Sequence, residues 1–160
     1  MSLTRFFLTS TFYAQVEKTF KSTRDSFTIN YPNDFELYTS KRPEIDFAVK
    51  DGYGGSIVIN RLADTEIKYY DELTETDYKE LIKSSAPNIK VVKFYKTNIG
   101  GRKAMVSYTI VPNGNNPVKQ INCTIYNGRY IYTITANTLA KYFDKEENIF
   151  LKTINSIKFN

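Results

Sequence analysis

The sequence predicts an α+β fold, an antiparallel β-sheet flanked by helices on both faces in an α-β-α sandwich, and three observations carry that reading. From Phe27 to Ile59, and again from Ile89 to Thr135, apolar and polar residues alternate with the period of two that half-buried strands require. Two stretches change to a helical period: Tyr78, Leu81, Ile82 and Ser85, then Ile149, Phe150, Thr153, Ile154 and Ile157. Finally, the order of elements is strands, helix, strands, helix, joined by turn signals short enough for hairpins.

Residues 1–25 are set apart from a single domain at 26–160. Two readings of this segment compete. An early arginine, Arg5, and an apolar stretch leading to Ala14-Gln15 suit a shortened secretory signal cleaved after Ala14. Alternatively Leu8, Phe12, Val16 and Phe20, spaced by four, suit a native docking helix. From Ser26 the strands begin. Phe27, Ile29 and Tyr31 alternate, and Pro32-Asn33 makes a turn. Phe35 and Leu37 continue, then Ile45, Phe47 and Val49, and Asp51 to Gly55 forms a loop. Ile57 and Ile59 share the next inward face.

The first helix starts at Thr74, where Asp77 stands three residues on in a capping box, and Pro87-Asn88 ends it. The strand Ile89–Thr97 follows, and Asn98 to Gly101 returns the chain into one where Ala104, Val106, Tyr108 and Ile110 share a face. Residues 112–117 form a polar loop. The stretch from Lys119 to Thr135 then folds on Asn127-Gly128, a pair suited to the positive φ angles of a type I′ hairpin turn. A turn centred there sets Ile125 against Tyr130, Cys123 against Tyr132 and Ile121 against Ile134. The other face pairs Tyr126 with Arg129, Thr124 with Ile131, and Asn122 with Thr133. Ile131 on that mostly polar face hints at cover on both sides of the sheet. The last helix is expected from Asp144, with Glu147 at its capping-box position, and Ser156 to Phe159 close as a short strand.

Composition excludes much chemistry. The 160 residues contain no histidine and no tryptophan, one cysteine, 13 tyrosines and 11 phenylalanines. Without histidine the commonest general base and metal ligand are missing, and the remaining Ser–Lys options carry no motif. Cys123, on the apolar face of the hairpin, reads as a small buried hydrophobe rather than a reactive thiol. The net charge of +5 is dispersed, with no run of five basic residues, which argues against a nucleic-acid stripe. Gly52, Gly54 and Gly55 lack the Gly-Lys-Ser/Thr and the helix of a phosphate loop. The acidic group Asp71, Glu72, Glu75, Asp77 and Glu80 is better explained by helix capping and an i,i+4 pair with Lys79 than by a metal. Asn122-Cys123-Thr124 is a glycosylation sequon lying in mid-strand. No stretch of 18 apolar residues would span a membrane. No metal or cofactor is expected, and no enzyme. Three residues remain as candidate binding groups: Tyr53 in the glycine loop, and Tyr126 with Arg129 at the hairpin tip.

The motifs Phe27-Thr-Ile-Asn-Tyr-Pro followed by Phe35, Ser56 to Arg61, Asn98-Ile-Gly-Gly-Arg102, and Asn127 to Thr135 resemble the PsbP-like family. So does the close from Phe150 to Phe159. The family's usual tryptophan after the first motif is absent, as are the histidines of its metal-binding members. The resemblance, over residues 26–160, implies the α-β-α sandwich and relatives that act by binding. These include a photosystem II extrinsic subunit, a nuclear import factor that binds the GTPase Ran, and chaperones of secretion-system effectors. The expectation is a non-catalytic protein-binding or assembly module of unknown partner, exported to periplasm or exterior, a monomer or weak dimer. One alternative is a small-ligand carrier whose pocket uses the hydroxyls of Tyr70, Tyr95 or Tyr108. The other is a cytosolic effector chaperone, if the N-terminus is native.

Overall fold

The computed structural model describes residues 17–63, 72–127 and 130–160. Its largest element is a seven-stranded antiparallel sheet in the order β3-β4-β5-β9-β8-β7-β6. The strands are β3 (Glu36–Leu37), β4 (Ile45–Lys50), β5 (Ser56–Ala63), β6 (Lys90–Ile99), β7 (Arg102–Val111), β8 (Val118–Tyr126) and β9 (Tyr130–Leu139). A second sheet of three strands pairs β1 (Glu17–Lys21) and β10 (Lys158–Phe159) with β2 (Phe27–Pro32). Two helices complete the described chain, α1 (Glu75–Ser85) and α2 (Ala140–Asn155).

The alternation read in the sequence becomes the core. Phe27 and Ile29 from β2, Phe47 and Val49 from β4, and Ile57 and Ile59 from β5 bury together with Val106, Ile121, Cys123, Ile125, Tyr132 and Ile134. From α2, Phe143, Phe150 and Ile154 close over them. The small sheet packs beside α2 on this face: Phe27 meets Tyr132 edge-on at 5.9 Å between ring centroids. Ser156, just past α2, fastens it further, its Oγ accepting from Asn30 N–H at 2.8 Å. The folded unit therefore extends back to Glu17, and Phe20 lies in a strand rather than on a helix. Leu8, Phe12 and Val16 lie outside the described residues.

The hairpin register differs from expectation by two residues. Ile125 pairs with Tyr132, Cys123 with Ile134, Ile121 with Ala136, Tyr126 with Ile131, Thr124 with Thr133 and Asn122 with Thr135. The cause is local. Tyr130 N–H donates to Asn127 Oδ1 at 2.9 Å and Asn127 N–H to Tyr130 O at 3.2 Å, so Asn127 closes the ladder instead of entering the turn. A shift of two keeps every side chain on its face, and the core residues survive the correction. Asn122 itself is held in the sheet, bonding Thr109 at 3.0 Å and Thr135 at 3.2 Å.

The capping box at α1 forms as read: Asp77 N–H donates to Thr74 Oγ1, and Thr74 N–H donates to Asp77 Oδ2 at 2.8 Å. The start of α2 does not. The helix begins at Ala140, four residues before Asp144, with Leu139 as a cap lacking any side-chain bond. Ala140 N–H donates instead to Pro117 O at 2.8 Å, so the sheet end supplies the acceptor that a capping side chain would otherwise give. Tyr78 of α1 stacks on Phe94 and shares a hydrogen bond with Ser107 Oγ at 2.8 Å.

Candidate functional site

The chain leaves β4 at Lys50 and must reverse into β5 within five residues. Asp51 makes the reversal. Its Oδ1 accepts from Tyr53 N–H at 2.8 Å and Gly55 N–H at 2.7 Å, while its own N–H donates to Gly55 O at 2.9 Å. Gly54 takes φ +94, a value that glycine adopts without a Cβ penalty. Gly55 is buried, and Asp51 Oδ2 and Glu146 Oε2 both lie within 2.7 Å of where its Cβ would stand. The result is a short loop pinned at both ends, carrying at its tip Tyr53, 77% exposed.

Tyr126 sits at the other end of the sheet. It is 37% exposed and pairs with Ile131, which is level with Leu62 at the far end of β5. The eight residues of β5 thus separate Tyr53 from Tyr126, roughly 25 Å of strand. Arg129 lies outside the described residues. The three candidates are therefore not one site.

Near the Tyr126 end the sequence reading missed a buried ion network. Asp25, with its side chain 1% exposed, meets Arg24 Nε at 3.0 Å and Arg61 Nη1 at 2.5 Å, and Arg24 reaches Asp46 at 3.4 Å. Arg61 also lies 4.6 Å over the Tyr130 ring. Every charge has an opposite neighbour, so the network joins the 22–26 loop, β4 and β5 and holds that end of the sheet. Burial, with Asp25 nearby, pushes the Tyr132 phenol up to about 12.

The tyrosines considered as pocket tips turn to one another. Tyr95 and Tyr108 are partly buried against the core and interact with each other, and Tyr108 also interacts with Glu147. Burial and these acidic and phenolic neighbours raise the Tyr108 phenol well above its ordinary range. Lys93 lies 5.1 Å over both rings. Tyr70 lies outside the described residues. A surface depression of 370 Å³ opens elsewhere, between the end of α1 and the start of β6, lined by Lys79, Lys83, Pro87, Asn88, Ile89, Lys90 and Val91. Among the described residues no cluster of three or more acidic or cysteine side chains could hold a metal ion. Glu75 is paired with Lys79 at 2.7 Å and Asp77 caps α1; Asp71 lies outside the described residues. No described helix is long and apolar enough to cross a membrane.

The second group missed by the sequence reading is Glu146. It is 9% exposed on α2, between Phe143 and Phe150 in the stripe that meets the sheet. A charge on an apolar stripe was the available signal. Starting the helix at Asp144 concealed it, because Phe143 then fell outside the helical pattern.

No family model matches the chain, and no curated protein matches it. Solved structures do. The cyanobacterial PsbP protein of Synechocystis sp. PCC 6803 superposes with a TM-score of 0.70 at 15% identity, covering 90% of this chain and 92% of that one. LpqN of Mycobacterium tuberculosis, described as involved in cell envelope biogenesis, gives 0.60 at 10% identity over 91% of both chains. A single-residue variant of the protein Mog1 gives 0.59 at 9% identity, over 89% of this chain and 95% of that one. These likenesses carry the fold: the chain has the PsbP/Mog1-like fold.

Proposed function

We propose that this chain is a non-catalytic protein-binding or assembly module, exported to the periplasm or exterior, and that Tyr53 is its recognition ring. One observation carries the reading. A large aromatic side chain, 77% exposed, stands on a loop whose backbone is already fixed by Asp51. An amphipathic ring on a preorganised loop gives contact area with little further loss of conformational entropy on binding. The polar tips that could have served a small ligand, Tyr95 and Tyr108, are instead engaged with each other and with Glu147. A role in the cell envelope, as LpqN is described to have, is compatible with an exported module.

The two-sided α-β-α arrangement belongs to the same reading. It is supported by β7, where Ser107, bonded to Tyr78 of α1, alternates with Val106, which lies in the core beneath α2. The test of the function is photo-crosslinking in the native host with a benzophenone side chain at position 53. A discrete protein adduct is expected there and not with the same group at Lys145, an exposed position on α2. Equal labelling at both positions, or none at 53, overturns the reading.

A further inference from the structure

The Tyr53 loop rests on a buried carboxyl with one oxygen unsatisfied. Glu146 Oε1 accepts from Thr138 Oγ1 of β9 at 3.4 Å, and Glu146 Oε2 is buried without a hydrogen-bond partner. Such an orphan needs explaining, because a buried charged oxygen without a donor is costly. Close beside it is Asp51, whose Oδ2 and Glu146 Oε2 crowd the same point above Gly55 Cα. Asp51 Oδ1 already accepts the two loop amides, which leaves Oδ2 turned towards Glu146. Glycine at 55 is what allows the approach, since a Cβ there would fill the space that the two carboxyls use.

The groups that act on Glu146 from the elements packed against it are Thr138 of β9, Asp51 of the β4–β5 loop and Asp34 of the β2–β3 connection. Two of these are acidic and none is basic. Along α2 itself Lys145 is exposed, and Glu147 is engaged with Tyr108. A proton satisfies this arrangement. Placed on Glu146, it removes one of two neighbouring like charges. Burial first, and the Asp51 charge second, push the Glu146 carboxyl up from 4.5 to about 7.

We propose that Glu146 and Asp51 form a proton-operated latch on the Tyr53 loop. With one proton shared between them, the loop is held against α2. Loss of that proton sets two carboxylates against each other, and because Asp51 also organises the loop, their separation loosens the Tyr53 backbone. The inference rests on Tyr53 as the recognition ring and names how its presentation is regulated: firm in acid, loose above neutrality.

The experiment needs no partner. Carbon-13 NMR of glutamate carboxyls follows Glu146 in the wild-type chain, and hydrogen exchange follows the Tyr53 and Gly55 amides at acid and alkaline pH, corrected for intrinsic exchange. The Glu146 resonance should titrate near 7, and protection of both amides should fall at least about tenfold across that midpoint. Glu146→Gln, whose amide carries no charge to set against Asp51, should retain protection at both pH values. A Glu146 midpoint near 4.5, unchanged amide protection in the wild type, or the same loss in Glu146→Gln would each overturn the latch. A responsive loop with no adduct at position 53 would sink the binding reading alone. An adduct at 53 from a loop indifferent to pH would sink the latch alone.

Discussion

Cys123 lies between Val106 of β7 and Ile134 of β9, is fully buried, and has its thiol pushed up to about 12 by that burial. Only the thiolate reacts, so a thiol reagent should label the native protein slowly and the urea-denatured protein at the rate of a free cysteine. Labelling at equal rates would mean that the hairpin faces are reversed. Cys123→Ser should cost about 1–3 kcal/mol, because the hydroxyl needs a partner that this apolar site lacks, and chemical denaturation reads that loss. The burial of this residue was legible in the sequence even though its opposite neighbour was not. Asn127 can act as turn residue or as ladder residue, and the two choices differ by two positions in register but by none in face. Glu146 and Asp25 were less legible, since their surroundings come from segments far away in the chain.

Among the elements, α1 could be read to the residue because Thr74 and Asp77 satisfy each other within four positions. The start of α2 could not, because its first N–H is satisfied by Pro117, across the mouth of the β8–β9 pair. The turn between β6 and β7 makes a sharper test of element packing. Gly100 takes φ +59, and a Cβ there would stand 2.7 Å from Ile157 O, just beyond the end of α2. Gly100→Ala combines a left-handed backbone with a contact against fixed main chain, and should cost about 2–4 kcal/mol by urea denaturation. Gly101→Ala has the same backbone strain but open space around it, so its loss should be smaller.

For the whole molecule, the β3-β4-β5 and β6-β7-β8-β9 parts of the large sheet follow from alternation and turns readable locally, whereas the β5–β9 pairing that joins them links residues such as Ser56 and Asn137, far apart in the chain. The three-stranded sheet is not readable locally either, because β10 meets β2 by pairing Lys158 with Thr28 and Phe159 with Phe27, residues from opposite ends of the chain. The pH dependence of stability is equally a property of the assembled fold. An unfolded Glu146 loses its proton near 4.5, and the folded one keeps it to about 7. Between those values the folded state holds more protons, so this group's contribution to stability falls as pH rises and levels off above about 7. Glu146→Gln has no such proton. Its stability relative to wild type should therefore increase by about 1–3 kcal/mol between the acid and alkaline sides of that window, read by paired urea titrations.

The two ends of the sheet offer the most direct test of what the molecule does. Affinity for the protein captured at position 53 can be measured by calorimetry for the wild type, Tyr53→Ala and Tyr126→Ala. Tyr53 is almost wholly in solvent, so its removal should leave the melting temperature unchanged while weakening binding at least about tenfold, as loss of an aromatic anchor does. Tyr126→Ala should bind as the wild type does. Undiminished affinity in Tyr53→Ala, or a larger loss in Tyr126→Ala, would move recognition to the hairpin end and contradict the account.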